Sequence, residues 1–318
     1  MATIVSTQAM NIVEAQKREG YKDSLSFLAN LVKKNDFLNV APWYESSDGA
    51  FHKWLEAARL GKGGFTKANE AVPKISSGSD QKVEPIAFYQ ADSIVDDVVL
   101  KTAKNKVKVR DSEDLANLEG FTQDWLYQLM YGSNEVEGFQ GLAARRAVLN
   151  DYVFTAGGSG SDLTSLWLFE LGERGFNLRY PSGTQPGISG QDRGLNNVPV
   201  PVGTGQFWAW IRHYEIAAGM EIVNQKSMLR MANIESGGTD ISPNVFIKMK
   251  NQLPNVGRDA VGFCNRTAHA LIETGAYNKT NAAYSIQDIE GFGPVARVVG
   301  VPILFWEGIL DTESAVTA

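Results

Sequence analysis

The chain has 318 residues, 43% of them apolar, enough to bury a substantial core and to exclude general disorder. Its 30 Lys and Arg against 36 Asp and Glu leave a net charge of −6, which excludes a protein built as an electrostatic binder of nucleic acid. The longest near-apolar run, Val298 to Trp306, is broken by Gly300 and Pro302 and is far short of the about 20 residues of a membrane-crossing helix, so no membrane partner is expected.

At the N-terminus no basic region or apolar stretch of a signal peptide is present, which sets the expectation of a cytoplasmic start. A polar segment, Asn11 to Asp23, has little to bury and reads as an arm. Leu25, Leu28, Leu31 and Val32 then follow helical spacing, with Ser24 as N-cap, until Ala41-Pro42-Trp43 ends the pattern. Between Ser46 and Lys82 the chain is rich in Gly, Ser and Lys and weakly periodic, too long for an ordinary connection. It is either a disordered insert or an extended loop whose partner lies on another molecule. Four large apolar residues sit within it, Phe51, Trp54, Leu55 and Phe65, and are the candidates for such a contact.

From Ala91 the register changes. Val95, Val98 and Val99 fit a strand or a short buried helix. Lys104, Lys106, Lys108 and Arg110 interleave with Val107 and Val109, which predicts a strand with one basic face. That face is either solvated or a non-specific contact for phosphate or an acidic neighbour; the lack of interleaved aromatics argues against base reading. An acidic turn, Asp111 to Asp114, opens a long helix over 113–131, with Leu118, Phe121, Trp125 and Leu129 on one stripe and Gly132 closing it. Strands are predicted over Trp167 to Leu171, Phe176 to Tyr180 and Gln206 to Val223, the last two separated by a Gly/Pro/Asn-rich loop. Ser242-Pro243 starts a helix carrying Val245, Phe246, Met249 and Leu253, ended by Pro254. A short strand (Val261 to Phe263), a helix from Asn265 to Thr274 with Gly275 as C-cap, and a strand pair within Val295 to Phe305 complete the chain. There is no internal repeat, and strands with segregated helices indicate an α+β fold.

Catalytic and ligand-binding motifs are scarce. The clusters Gly61-Lys62-Gly63-Gly64 and Gly157-Gly158-Ser159-Gly160 match neither a P-loop nor a dinucleotide fingerprint, and no G-x-S-x-G occurs. His52, His213 and His269 are scattered without metal-ligand spacing, and Asp96-Asp97 reads as a solvated edge. The one cysteine, Cys264, excludes an intrachain disulfide and reads as a buried small hydrophobe. Neither a cofactor nor a metal is expected, and a chain with 31 Gly, seven Trp and fifteen Phe but three His suits packing and interfaces better than proton chemistry.

Five stretches stand out in order: MYGSNEVEGFQGLAARR (Met130 to Arg146), TAGGSGSDLTSLWLFELGERGFNLRYPSG (Thr155 to Gly183), EIAAGMEIVNQKSMLRMANIE (Glu215 to Glu235), FCNRTAHALIETGA (Phe263 to Ala276) and ARVVGVPILFWEGILDTE (Ala296 to Glu313). Together they resemble the major capsid proteins of tailed double-stranded DNA bacteriophages, in particular the short-tailed (podovirus) group with the Hong Kong 97-type fold. The resemblance spans about Leu25 to Ala315. It implies an N-terminal arm over 1–42, an extended loop over 43–90, a peripheral domain over 91–236 with a spine helix over 113–131, and an axial domain over 237–318. In many relatives the long peripheral strands follow the axial helices; here the matching strands precede them, so a permuted strand order is expected.

The implied function is structural and non-enzymatic: self-assembly into hexamers and pentamers of an icosahedral shell around double-stranded DNA, formed in the host bacterial cytoplasm and ending in the virion. The implied partners are further copies of the chain, a portal protein, scaffolding and cementing proteins, and packaged DNA held non-specifically. The Lys, Asn and carboxylate that crosslink subunits in some relatives have no match here. An encapsulin-like shell with protein cargo and a cytoplasmic α+β enzyme are the alternatives; DNA inside the shell separates the first, a convergent polar pocket the second.

Overall fold

The computed structural model describes residues 36–59, 61–69, 71–133, 138–200, 205–238, 241–257, 259–277, 283–289 and 293–317. A short helix α1 (Asp36–Val40) and strand β1 (Trp43–Glu45) lead into a long hairpin of β2 (Phe51–Arg59) and β3 (Gly78–Pro85). Strand β4 (Ala87–Asp96) is followed by α2 (Asp97–Thr102) and the long helix α3 (Lys106–Tyr131). After the single turn α4 (Leu142–Arg145) come β5 (Val153–Thr155), β6 (Leu163–Glu170), β7 (Phe176–Tyr180), β8 (Ile188–Pro199), β9 (Gln206–Ile222) and β10 (Met228–Glu235). The chain ends through α5 (Pro243–Gln252), β11 (Ala260–Cys264), α6 (Arg266–Tyr277), β12 (Tyr284–Ile289), β13 (Gly293–Val298) and β14 (Val301–Phe305).

These strands form two main sheets and the separate hairpin. One sheet runs β1-β7-β9-β4, with β8 also paired to the first part of β9; the other runs β12-β13-β14-β11-β6-β10-β5. The second sheet takes strands from both sides of residue 236, so a cut there would divide it. Strand β6 is central to it and buried along its whole length. Because side chains alternate across a strand, its two faces serve two cores. Trp167 and Phe169 join Phe37, Trp125, Phe176, Phe263 and Trp306 beneath α3, while Leu166 and Leu168 join Leu229, Phe246, Met249, Ile272 and Ile303 beneath α5 and α6. Phe37 stacks on Trp306 with ring centroids 3.9 Å apart, which fastens α1 to the end of β14.

The observed elements correct several expectations. The segment from Lys104 to Arg110 is not a strand: Lys106 is already in α3, and Asn105 caps the helix by accepting a hydrogen bond from the Lys108 N–H at 3.1 Å. Alternating Val107 and Val109 misled because only Val109 is buried, against Val95, Val99 and Leu100, while Val107 lies in solvent. The expected helix over 113–131 therefore starts seven residues earlier. The excursion after Ser46 is an ordered antiparallel hairpin over its two arms, paired from Phe51↔Pro85 to Arg59↔Gly78. The Gly/Pro/Asn-rich loop contains β8, which pairs with β9 through its backbone while its side chains are largely exposed. Gly275 is not a C-cap; α6 continues to Tyr277, and a Cβ at Gly275 would come within 3.0 Å of the Tyr284 ring. That glycine serves close helix–sheet approach. The helix expected around Leu25 to Val32 lies outside the described residues.

Candidate assembly surfaces

The hairpin is held at its root by charge and left bare at its tip. His52, buried on β2, accepts a hydrogen bond at Nδ1 from the Ser47 backbone N–H (3.1 Å), so its Nε2–H is the donor to Glu221 Oε1 of β9 at 3.1 Å. Arg179 of β7 pairs with the other oxygen of Glu221 and donates to the Glu45 carbonyl at 2.9 Å. On the second arm, Glu84 pairs with Arg145 of α4. Burial raises the Glu84 pKa from its ordinary value, and Arg145 opposes that rise. Trp54 is half-buried with its ring stacked 5.8 Å from His52, its indole N–H covered and without an acceptor among the described residues. Phe51, Leu55 and Val83 are exposed along the arms, as are Val72 and Ile75 in the connecting segment, and Phe65 is wholly exposed.

The basic candidates do not share one face. Helical spacing puts Lys106 and Arg110 together and turns Lys108 to the other side, with Lys104 ahead of the helix. Lys104 and Lys106 are exposed and Lys108 half-buried. Arg110 is committed within the chain: Nη2 lies 2.7 Å from Asp192 of β8, Nε 3.8 Å from Asp114, and the guanidinium sits 5.0 Å over the Trp210 ring. Asp114, which sequence reasoning passed over as one acid of a helix start, is the hub that pins α3 to β4 and β9. It accepts from Ser93 Oγ at 2.7 Å and faces Arg212 at 3.3 Å. Burial raises its pKa, opposed by Ser93 and the two arginines. The signal available was its spacing from Arg110, four residues along one helix.

The other candidates have structural partners. Asp96 caps α2 by accepting from the Val98 N–H (2.8 Å), and Asp97 binds Lys101 at 2.5 Å and Trp210 Nε1 at 3.2 Å. His213 lies 2.6 Å from Asp92. Cys264 is wholly buried, and burial pushes its thiol pKa well up. Among the described residues no group of His, Cys, Asp and Glu has the geometry of a metal site, and no helix is long and apolar enough to cross a membrane. Clefts open on the surface among the described residues. One, of about 410 Å³, lies between α3 and the segment 307–311; another, about 290 Å³, is lined by Phe88, Tyr89, Trp125 and Phe139 at the foot of β4.

A body with two cores, a long helix and a projecting arm studded with apolar side chains is the architecture of a shell subunit, whose business is contact with its neighbours. In structure the chain is similar to a chain of bacteriophage Epsilon15, at 25% identity over 90% of each chain with a TM-score of 0.66. Lower-scoring likenesses include the bacteriophage JBD30 capsid (12% identity, 86% of this chain and 91% of that one, TM-score 0.49) and the SrpI encapsulin from Synechococcus elongatus PCC 7942 (8% identity, 62% and 86%, TM-score 0.43). No curated protein matches the chain. The model of the family described as major capsid protein GP7 matches residues 25–317. The chain belongs to that family: it is a capsid shell protein of the tailed-phage kind, with the Hong Kong 97-type fold.

Proposed function

We propose that copies of this chain close into hexamers and pentamers of an icosahedral shell around double-stranded DNA. The observation that carries the reading is the β2–β3 hairpin, anchored at its root and offering Phe51, Leu55 and Phe65 to something outside the subunit. An arm that buries little on its own subunit gains its stability from a neighbour, by mass action. In this assembly residues 43–90 act as the extended loop, α3 as the spine helix, and residues 237–318, whose strands share a sheet with β5, β6 and β10, supply the axial tip at the capsomer's symmetry axis. The shell is built in the host bacterial cytoplasm, closes on a portal protein with scaffolding and cementing proteins as further partners, and ends in the virion.

Lys104, Lys106 and Lys108 meet the packaged DNA without reading its sequence, a contact that weakens as salt screens it. Arg110, held by Asp192 and Asp114, keeps α3 in place behind them. The test is the content of purified particles made with their partner phage proteins. Nuclease-resistant double-stranded DNA is the expected content; closed particles filled with protein alone would overturn the reading.

A further inference from the structure

The body carries a receptor for such a hairpin. Resting on the reading that the hairpin packs on a neighbour, we infer that the cleft between α3 and the segment 307–311 receives the hairpin tip of a second copy of this chain, with Phe65 as its anchor. The cleft, at about 410 Å³, falls in the range of concave sites that enclose a large group. Its apolar lining is Leu126, Ile309 and Leu310 with the ring of Tyr127, and both Leu310 and Tyr127 stand partly in solvent. Gly308 fixes the wall against α3: a Cβ there would lie 2.8 Å from Trp306 Nε1 and 3.1 Å from the Leu126 carbonyl, so the backbone packs close to the body.

Charge selects the occupant. Glu307 and Asp311 line the cleft, with Arg266 as their cation; Glu307 pairs with Arg266, and Asp311 accepts from Asn265 and from Thr267 at 3.1 Å. Behind them lies Glu119, one oxygen held by Gln123 at 2.7 Å and the other without a donor among the described residues. In the lining itself two carboxyl groups stand against one guanidinium, which leaves the cleft acidic. The hairpin tip is its complement: exposed Lys62 and Lys74 lie on either side of wholly exposed Phe65 in the sequence, and Gly63-Gly64 beside it let backbone approach closely. The smaller cleft at Phe88 has no acidic residue in its lining and lacks this match.

Disulfide mapping tests the assignment, since the chain's one cysteine, Cys264, is wholly buried. In assembled particles, Phe65→Cys with Leu310→Cys should give, under mild oxidation, a ladder of covalently joined subunits that neither single variant gives. A ladder from Phe65→Cys with Phe88→Cys instead would overturn the cleft while leaving the hairpin on a neighbour. For variants that fail to assemble, hydroxyl-radical footprinting of the wild-type protein decides. Phe65, Tyr127 and Leu310 should become at least several-fold less reactive together when subunits enter particles. Protection of Phe65 alone would sink the cleft, and no protection of Phe65 would sink the neighbouring-hairpin reading with it.

Discussion

Arg230 and Glu313 face each other across 3.0 Å with both side chains almost wholly buried. Around them Tyr131 donates to Glu313 at 2.5 Å, Ser165 donates to its other oxygen, and Arg230 gives its remaining N–H groups to Ser165 Oγ and the Arg146 carbonyl, each at 2.9 Å. Five distant stretches of chain meet here, and one of them is the segment after β14. Removing a single partner leaves a buried charge uncompensated, so Glu313→Ala should cost about 3–5 kcal/mol in denaturant unfolding of the subunit. An unchanged midpoint would show that the pair holds nothing together. Glu119 tests electrostatics of the opposite kind. Burial raises its pKa above the ordinary 4.5, Gln123 opposes the rise and Glu307 adds to it. The fold therefore favours its protonated form; that contribution is full below the unfolded value and is lost as pH rises through the folded one. Glu119→Gln, neutral at every pH, should raise the Tm at pH 7 and leave it unchanged at pH 4. Equal shifts at both pH values would exclude the carboxyl as the cause.

At the scale of elements, what could be read from sequence depended on how strongly burial patterned each one. The stripe Leu118, Phe121, Trp125 and Leu129 gave α3 away because that face is packed into the larger core. Its first two turns were hidden because Lys-Val-Lys-Val-Arg mimics a strand where only one valine is buried. Strand β8 read as loop for a related reason: it is held by backbone pairing, with few buried side chains to leave a period of two. The hairpin's apolar residues were legible as residues without a partner, whereas the cleft between α3 and 307–311 was not, since its walls come from three separated parts of the sequence. Two outcomes belong to these elements. Trp54→Ala should leave the subunit folded by circular dichroism yet weaken particles by up to about 1.5 kcal/mol per subunit, since the ring is already half-buried and assembly covers only the remainder; particles equally resistant to denaturant would exclude Trp54 from the contact. Changing Lys104, Lys106 and Lys108 to Gln should cost the fold under about 0.5 kcal/mol each, as surface changes do, and flatten the salt dependence of DNA binding. An unaltered salt slope would remove these lysines from any DNA contact.

Over the whole molecule, the composition and the five ordered stretches led to the capsid class before any contact was known, because packing and interface residues dominate the chain. Where the sheets divide was not legible: β6 and β10 lie among the strands of the other sheet in sequence but sit inside the seven-stranded sheet with β11 and β14. The central claim, that this subunit exists to close a shell with copies of itself, is tested most directly by electron microscopy of the purified protein assembled with its partner phage proteins. The account predicts closed icosahedral particles built of hexamers and pentamers, with the β2–β3 hairpin of each subunit lying on its neighbour. A population that stays monomeric at high concentration with those partners present, or that forms only open, unclosed aggregates, would contradict it.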